Sequence, residues 1–294
     1  MPSLTKTEMS IPPVSIAELR QTIRQKLIAI AQSDPGILGL VDYGSTSEGR
    51  DDNGSDLDVA LFLADDVIGL FTQNWKEWAE TFGPLLLAYV GGVGHPWTVY
   101  AAAPIPLRVD FVFRPISELS QIVTWPVAPL SVSHFVLYDG TGGRLTSLAE
   151  KLVRQSLAPL DAAATFAQVC GDFWYYQLRT FTRLKRGQEW AARHDFNFVI
   201  IGNLLALLRL ECGATARWRG SAATANIEQA LSPERLQQLA QCIPAPGAMS
   251  LLKTMRRSAH LGESVCRNIN QQHGWLWPEA LAEQVHQVLN GALI

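Results

Sequence analysis

Near Leu145 the apolar pattern of this 294-residue chain changes character, and no other feature limits its possible folds as strongly. Before that point, short apolar runs of strand length alternate with helical segments, separated by turns rich in Gly, Pro, Ser and Asp. Ile16 to Ala31 carries apolar residues at helical spacing and is stopped by Pro35-Gly36. Ile37 to Tyr43 predicts a buried strand, Asp56 to Leu63 a second and Leu107 to Phe113 a third. Val132 to Tyr138 predicts a fourth, ending in the turn Asp139-Gly140-Thr141-Gly142-Gly143. Asn74 to Phe82 has a helical pattern, and Gly91, Gly92 and Gly94 mark a loop. Beyond Leu145 the segments are long and amphipathic, with little strand pattern: Asp161 to Gln188, Asp195 to Cys212, Ala222 to Gln241, Ser250 to Gln272 and Pro278 to Leu289. The expectation is an α+β chain, with a mixed sheet flanked by helices over residues 1–145 and an all-helical bundle over 146–294.

Composition narrows the classes further. At 48% hydrophobic and 17% charged, the chain has the apolar surface needed to offset the entropy of ordering, which excludes disorder as its main state. The longest apolar stretch, Phe196 to Leu210, is interrupted by Asn197, Asn203 and Arg209, so no membrane span is expected. The first residues, MPSLTKTEMSIPP, lack the apolar core of a secretory signal. Cys170, Cys212, Cys242 and Cys266 are widely spaced with no CxxC pair, which predicts reduced, buried thiols in a cytoplasmic protein. The six histidines show no metal-ligand spacing. The net charge of −3 hides an asymmetry: residues 1–150 sum to −8 and residues 151–294 to +5. Such segregation suits two units facing a charged partner or each other, and also arises from ordinary surface variation.

The richest stretch runs from Val41-Asp42-Tyr43-Gly44-Ser45 to Ser55-Asp56-Leu57-Asp58. Residues i and i+2 of a strand share a face, so Asp56 and Asp58 point together while Leu57, Val59 and Leu61 enter the core behind them. Two neighbouring carboxylates repel, and Mg²⁺ is the natural counter-charge because it takes one or two carboxylates plus phosphate oxygens. A lone Asp-x-Asp at a strand edge is more often a solvated surface than a metal site. Gly44-Ser45 at a strand end strengthens the metal reading, since a glycine lets backbone N–H groups approach a phosphate and the Ser45 hydroxyl adds a donor. Asp110, on a strand whose Leu107, Val109, Phe111 and Phe113 alternate away from it, completes a candidate triad. Its bland alternative is an ion pair with Arg108.

A strand ending in Gly-Ser, followed by Asp-x-Asp and a later acidic strand residue, resembles the DNA polymerase β-like nucleotidyltransferase superfamily. Within it the chain is most similar to the lincosamide nucleotidyltransferases, relatives of the aminoglycoside-modifying enzymes. Tyr43-Gly44-Ser45, Ser55-Asp56, Leu137-Tyr138-Asp139, Leu184-Lys185-Arg186-Gly187 and the helix through Leu208-Arg209 fall in that family's order. The resemblance implies Asp56, Asp58 and Asp110 as Mg²⁺ ligands and catalytic residues, with Asp110 at the general-base position. It implies Gly44, Ser45, Arg50, Ser55 and Lys185 as contacts to a nucleoside triphosphate, with ATP the default donor. Many members carry Arg or Lys three residues after the motif serine, where this chain has Glu48, with Arg50 two residues later.

Arg179, Arg183 and Arg186 share one helical face with Lys185 alongside, either as a solvated cationic face or, Lys185 first, as contacts to the β- and γ-phosphates. His194 is either a helix-start residue or a substrate contact. Trp174, Tyr175, Trp190 and Trp218 are expected to be core or boundary aromatics, one or two of which line a substrate pocket. The expected activity is transfer of a nucleoside monophosphate, AMP from ATP, to a hydroxyl of a small molecule held between the domains or between subunits of a homodimer. The net +5 of the second half favours a lincosamide-like acceptor over a polycation. The alternatives are nucleotidylation of tRNA or protein, or a non-catalytic nucleotide-binding regulator.

Overall fold

The computed structural model describes residues 14–154, 160–215 and 223–292; Trp218 lies outside them. The first helix, α1 (Ile16–Ser33), begins at a capping box in which Ser15 accepts from the Glu18 N–H and the Glu18 carboxylate accepts from the Ser15 N–H. Its apolar stripe, Ile16, Leu19, Ile23, Leu27 and Ala31, is buried. The chain forms two compact units, residues 1–157 and 158–294.

In the first unit, β1 (Ile37–Asp42) and β2 (Leu57–Leu63) precede α2 (Ile68–Glu80), then β3 (Leu85–Val90), β4 (Pro96–Tyr100) and β5 (Leu107–Pro115). A 3₁₀ segment (Ile116–Thr124), the short α3 (Val132–Phe135), β6 (Val136–Asp139) and α4 (Arg144–Arg154) complete it. The mixed six-stranded sheet has the order β3-β4-β5-β2-β1-β6, with β2 and β5 parallel and the other pairs antiparallel. Leu57, Val59, Leu61, Val109 and Phe111 pack on one face with the α1 stripe and with Trp75 and Ala79 of α2. Ala60, Phe62 and Val112 pack on the other face with Leu119, Ile122, Leu145 and Ala149. This is the α+β arrangement expected from the patterning.

Local boundaries differ from the sequence expectation where short-range chemistry prevails. Val132–Phe135 is a helical turn, not the start of a strand, because the Ser131 hydroxyl caps it by accepting from the His134 N–H at 3.3 Å. The helix expected from Asn74 begins at Ile68. β3 and β4 carry no clear sequence signal, since β3 is an edge strand with Leu86, Leu87, Tyr89 and Val90 exposed.

The second unit holds α5 (Ala162–Lys185), α6 (Glu189–His194), a π-helical turn (Asp195–Ile200), α7 (Ile201–Glu211), α8 (Ile227–Ala230), α9 (Pro233–Ala240), α10 (Ala248–His273) and α11 (Glu279–Asn290). Its core is built from Phe173, Trp174, Phe196, Leu204, Leu252, Val265 and Val285, among others. Gly262 lets α10 approach α5 closely: a Cβ there would lie 2.3 Å from the Phe173 ring. Cys170, Cys242 and Cys266 are buried as expected, whereas Cys212 is exposed at the end of α7. His194 ends α6 and is the N-cap of the π-helical turn that follows; it is exposed, its ring tilted against Phe198 with centroids 4.8 Å apart.

Candidate active site

The parallel pairing of β2 and β5 places Asp58 in register beside Asp110 on neighbouring strands. Both project to the face that carries Ala60, Phe62 and Val112. The turn after β1 lies against them. The Tyr43 N–H donates to the Asp58 carbonyl at 3.0 Å, and a Cβ on Gly44 would meet Asp58 Oδ2 at 2.3 Å. Only glycine admits this approach, so Gly44 and Asp58 are fitted to each other. Beyond it the Gly44 carbonyl accepts from the Ser47 hydroxyl at 2.8 Å, and the Ser45 carbonyl accepts from the Arg50 N–H at 2.9 Å. The Ser45 hydroxyl is buried with no hydrogen-bond partner, a donor in want of an acceptor.

The electrostatics are those of an anionic cluster only partly offset by Arg108. Burial, reinforced by the charges of Asp56, Asp110 and Asp42, pushes the Asp58 carboxyl up to about 7. Burial and then Asp56 push Asp110 up to about 6, against the pull of Arg108. Burial and four neighbouring carboxylates also raise the Tyr43 hydroxyl. Asp56 itself turns to Arg108, with Nη2 2.9 Å from its Oδ2, and among the described residues the three carboxylates do not close on one point. The Arg108 pair weighed as the alternative for Asp110 is made by Asp56. A cation bound between these carboxylates would replace Arg108 as the partner of Asp56. The residues fit Mg²⁺: an all-oxygen donor set, repulsion that Arg108 only partly offsets, and an unpartnered hydroxyl beside it.

Asp42 escaped the sequence reading although it stands two residues before Gly44. It is fully buried, its Oδ1 accepts from the Gly44 N–H at 3.2 Å, and its Oδ2 has no partner. Burial raises its carboxyl to about 6, partly offset by Arg24 and Arg20. It holds the Gly-Ser turn from behind, and an acidic residue closing a buried strand is the signal that could have found it.

The other predicted contacts are spread more widely. Glu48 is folded inward: its Oε1 accepts from the Ala128 N–H at 3.0 Å and its Oε2 from Arg50 Nε at 2.7 Å. The departure at Glu48 thus orients Arg50, whose side chain is half exposed. The Ser55 hydroxyl serves the Asp52 turn, donating to Asp52 Oδ1 at 3.0 Å and accepting from the Asp52 N–H at 2.8 Å. Arg20 of α1 fastens that loop through the carbonyls of Asp52 and Ser55, each at 3.0 Å. Lys185 belongs to the second unit, exposed in the last turn of α5. On the same helix, Arg183 donates to the buried Asp195 Oδ1 at 2.9 Å and Arg179 Nε lies 3.3 Å from Oδ2, so this stripe braces α5 against the π-helical turn.

Residues 106–292 match the family model described as streptomycin adenylyltransferase. The chain belongs to the streptomycin adenylyltransferase family. It is accordingly a nucleotidyltransferase, close to the aminoglycoside nucleotidyltransferases of its superfamily. The family match includes Asp110 but begins after Gly44, Ser45, Asp56 and Asp58, so those positions rest on the geometry above. Among solved structures, the chain is similar to an aminoglycoside 6-adenyltransferase from Bacillus subtilis, at 16% identity over 93% of this chain and 97% of that one, with a TM-score of 0.43. It is also similar to a nucleotidyltransferase-like protein from Exiguobacterium sibiricum, at 14% identity over 92% of this chain and 88% of that one, with a TM-score of 0.33. No curated protein sequence matches. Among the described residues of this family member, no helix is long and apolar enough to cross a membrane.

Proposed function

We propose that the chain transfers AMP from ATP, with Mg²⁺, to a hydroxyl of a cationic aminocyclitol antibiotic of the streptomycin class. The observation that carries the reaction is the Asp58–Asp110 pair set against the Gly44–Ser45 turn. Asp56, Asp58 and Asp110 would hold the metal, which when bound neutralises the phosphates and stabilises the attacking and leaving oxygens. The Ser45 hydroxyl and the turn's backbone N–H groups orient the triphosphate, with Arg50, steadied by Glu48, as a further phosphate contact. Asp110 accepts the proton of the acceptor hydroxyl as its oxygen bonds to the α-phosphorus and the bond to pyrophosphate breaks.

For the acceptor, the expectation of a lincosamide rested on clustered basic residues in the second half repelling a polycation. Most of those described are engaged within their own unit. Arg179 and Arg183 pair with Asp195, Arg193 with Glu189 and Arg235 with Glu211, while Arg209 and Arg256 donate to backbone carbonyls. Arginines held in this way within their own unit no longer argue against ammonium groups on the acceptor, and the family description supports a streptomycin-class acceptor. The test is pyrophosphate release, with a mass gain of one AMP on the acceptor, for streptomycin and lincomycin side by side. Higher kcat/KM for streptomycin is expected. Higher kcat/KM for lincomycin restores the lincosamide reading, and turnover with neither overturns small-molecule transfer in favour of tRNA or protein as acceptor.

A further inference from the structure

We propose that His260, Glu263 and His286 form a binding site for one divalent transition-metal ion of the zinc class, which clips the last helix of the chain to the long helix before it. His260 and Glu263 lie one turn apart on the same face of α10, and His286 faces them from α11. A ligand atom from each lies within 4.8 Å of the other two. Spacing along the chain concealed this set, because its third member comes 23 residues after the second and is brought in by helix packing alone.

The arrangement suits an ion better than the pairings the side chains make with one another. His286 Nε2 is buried and sits 2.9 Å from Glu263 Oε2, yet makes no hydrogen bond of acceptable geometry. The two imidazole rings stack, with centroids 4.5 Å apart and planes within 28°, and must rotate for a nitrogen of each to point at one ion. Donor atoms around a tetrahedral zinc, with bonds of about 2.0–2.1 Å, lie roughly 3.3 Å apart, so small side-chain rotations close the set. The outer shell is in place as well. Arg267 donates to Glu263 Oε1 at 2.9 Å, fixing the carboxylate while leaving Oε2 for the ion. Trp174 meets the His286 ring edge-on at 6.0 Å and restricts its orientation. Two imidazoles and one carboxylate select Zn²⁺ and its transition-metal neighbours over Mg²⁺, which favours all-oxygen sites, so this site is chemically distinct from the Asp58–Asp110 centre. His260 is exposed, leaving the fourth position open to water.

The test titrates ZnCl₂ into the EDTA-treated, desalted full-length chain by calorimetry, with melting temperature and the visible spectrum of the Co²⁺ form as parallel readouts. One Zn²⁺ per chain, a zinc-dependent rise in melting temperature and the d–d bands of a four-coordinate Co²⁺ site are expected. His260→Ala changes an exposed side chain, so it should fold normally and weaken zinc binding by more than about tenfold. His286→Ala should do the same, whereas Asp58→Asn in the other unit should leave the zinc isotherm unchanged. Absence of zinc-dependent binding, an isotherm for His260→Ala equal to that of the parent, or a zinc signal lost in Asp58→Asn but retained in His260→Ala would each overturn the proposal.

Discussion

Single side chains decide whether the carboxylate cluster can work. A Cβ at position 44 would displace Asp58, so Gly44→Ala should lower kcat by more than about 10²-fold, since misplacing a reacting group by about 1 Å costs that much. Its melting temperature should move little, which separates misplacement from unfolding. The same residues set a pH dependence of the metal-free protein. Asp58 at about 7, Asp110 at about 6 and Asp42 at about 6 all lie above the usual carboxylate value of 3.8. Between about pH 4 and 7 the folded state therefore holds more protons than the unfolded one, and stability falls as pH rises through that window. In EDTA, raising the pH from 5 to 8 should lower the melting temperature through these groups. Asp58→Asn should flatten that dependence, match or exceed the parent's stability at pH 8, and abolish transfer. A steep dependence surviving in Asp58→Asn would show that the strain lies elsewhere.

At the scale of elements, capping and close packing hold the frame. Asp139 ends β6 and binds the start of α4: Thr141 donates to its Oδ1 through N–H and hydroxyl at 2.8 and 2.5 Å, and Thr146 to its Oδ2 at 2.9 and 2.7 Å. Partial burial would raise this carboxyl, but the four hydrogen bonds prevail and hold it at about 2. Its contribution is present above the ordinary carboxylate value and is lost as pH falls through about 2. Asp139→Ala should cost about 1–2 kcal/mol, the range for a lost helix cap, read as a shift in the denaturant midpoint. In the second unit, Gly262→Ala would drive a methyl into the Phe173 ring and should cost about 1–3 kcal/mol by overpacking. Neither position touches the carboxylate cluster, so neither variant should change the Mg²⁺ dependence proposed for the reaction.

At the scale of the whole molecule, formal charge and available charge diverge. The second half is net +5 with its carboxylates already counted, but its described arginines are largely held locally by Asp195, Glu189, Glu211 and Glu263 or by carbonyls, and the whole chain is only −3. Raising the salt concentration should therefore alter the KM for streptomycin little more than that for lincomycin, because a small net charge projects a weak long-range field. A steep salt dependence for the polycation alone would show that unpaired charge governs its capture.

Much of this was determined by residue order alone. The period-2 alternation around Asp58 requires Leu57, Val59 and Leu61 to be buried, and they are, while Asp56 stands just before β2 and pairs with Arg108. The long amphipathic segments after Leu145 specify helices because a stripe at 3.6-residue spacing can be buried in no other regular form. Gly44-Ser45 marks the turn. Tertiary structure decided what depends on contacts between distant segments. The parallel register sets Asp58 beside Asp110, Arg108 turns to Asp56 instead of Asp110, and the edge strand β3 and its neighbour β4 form without a clear sequence pattern of their own. Asp42, Asp195 and the His260–Glu263–His286 set acquired meaning in the same way. Local propensity and periodicity act over a few residues, whereas burial, repulsion and metal-ligand convergence are properties of the space between elements, and only packing creates that space.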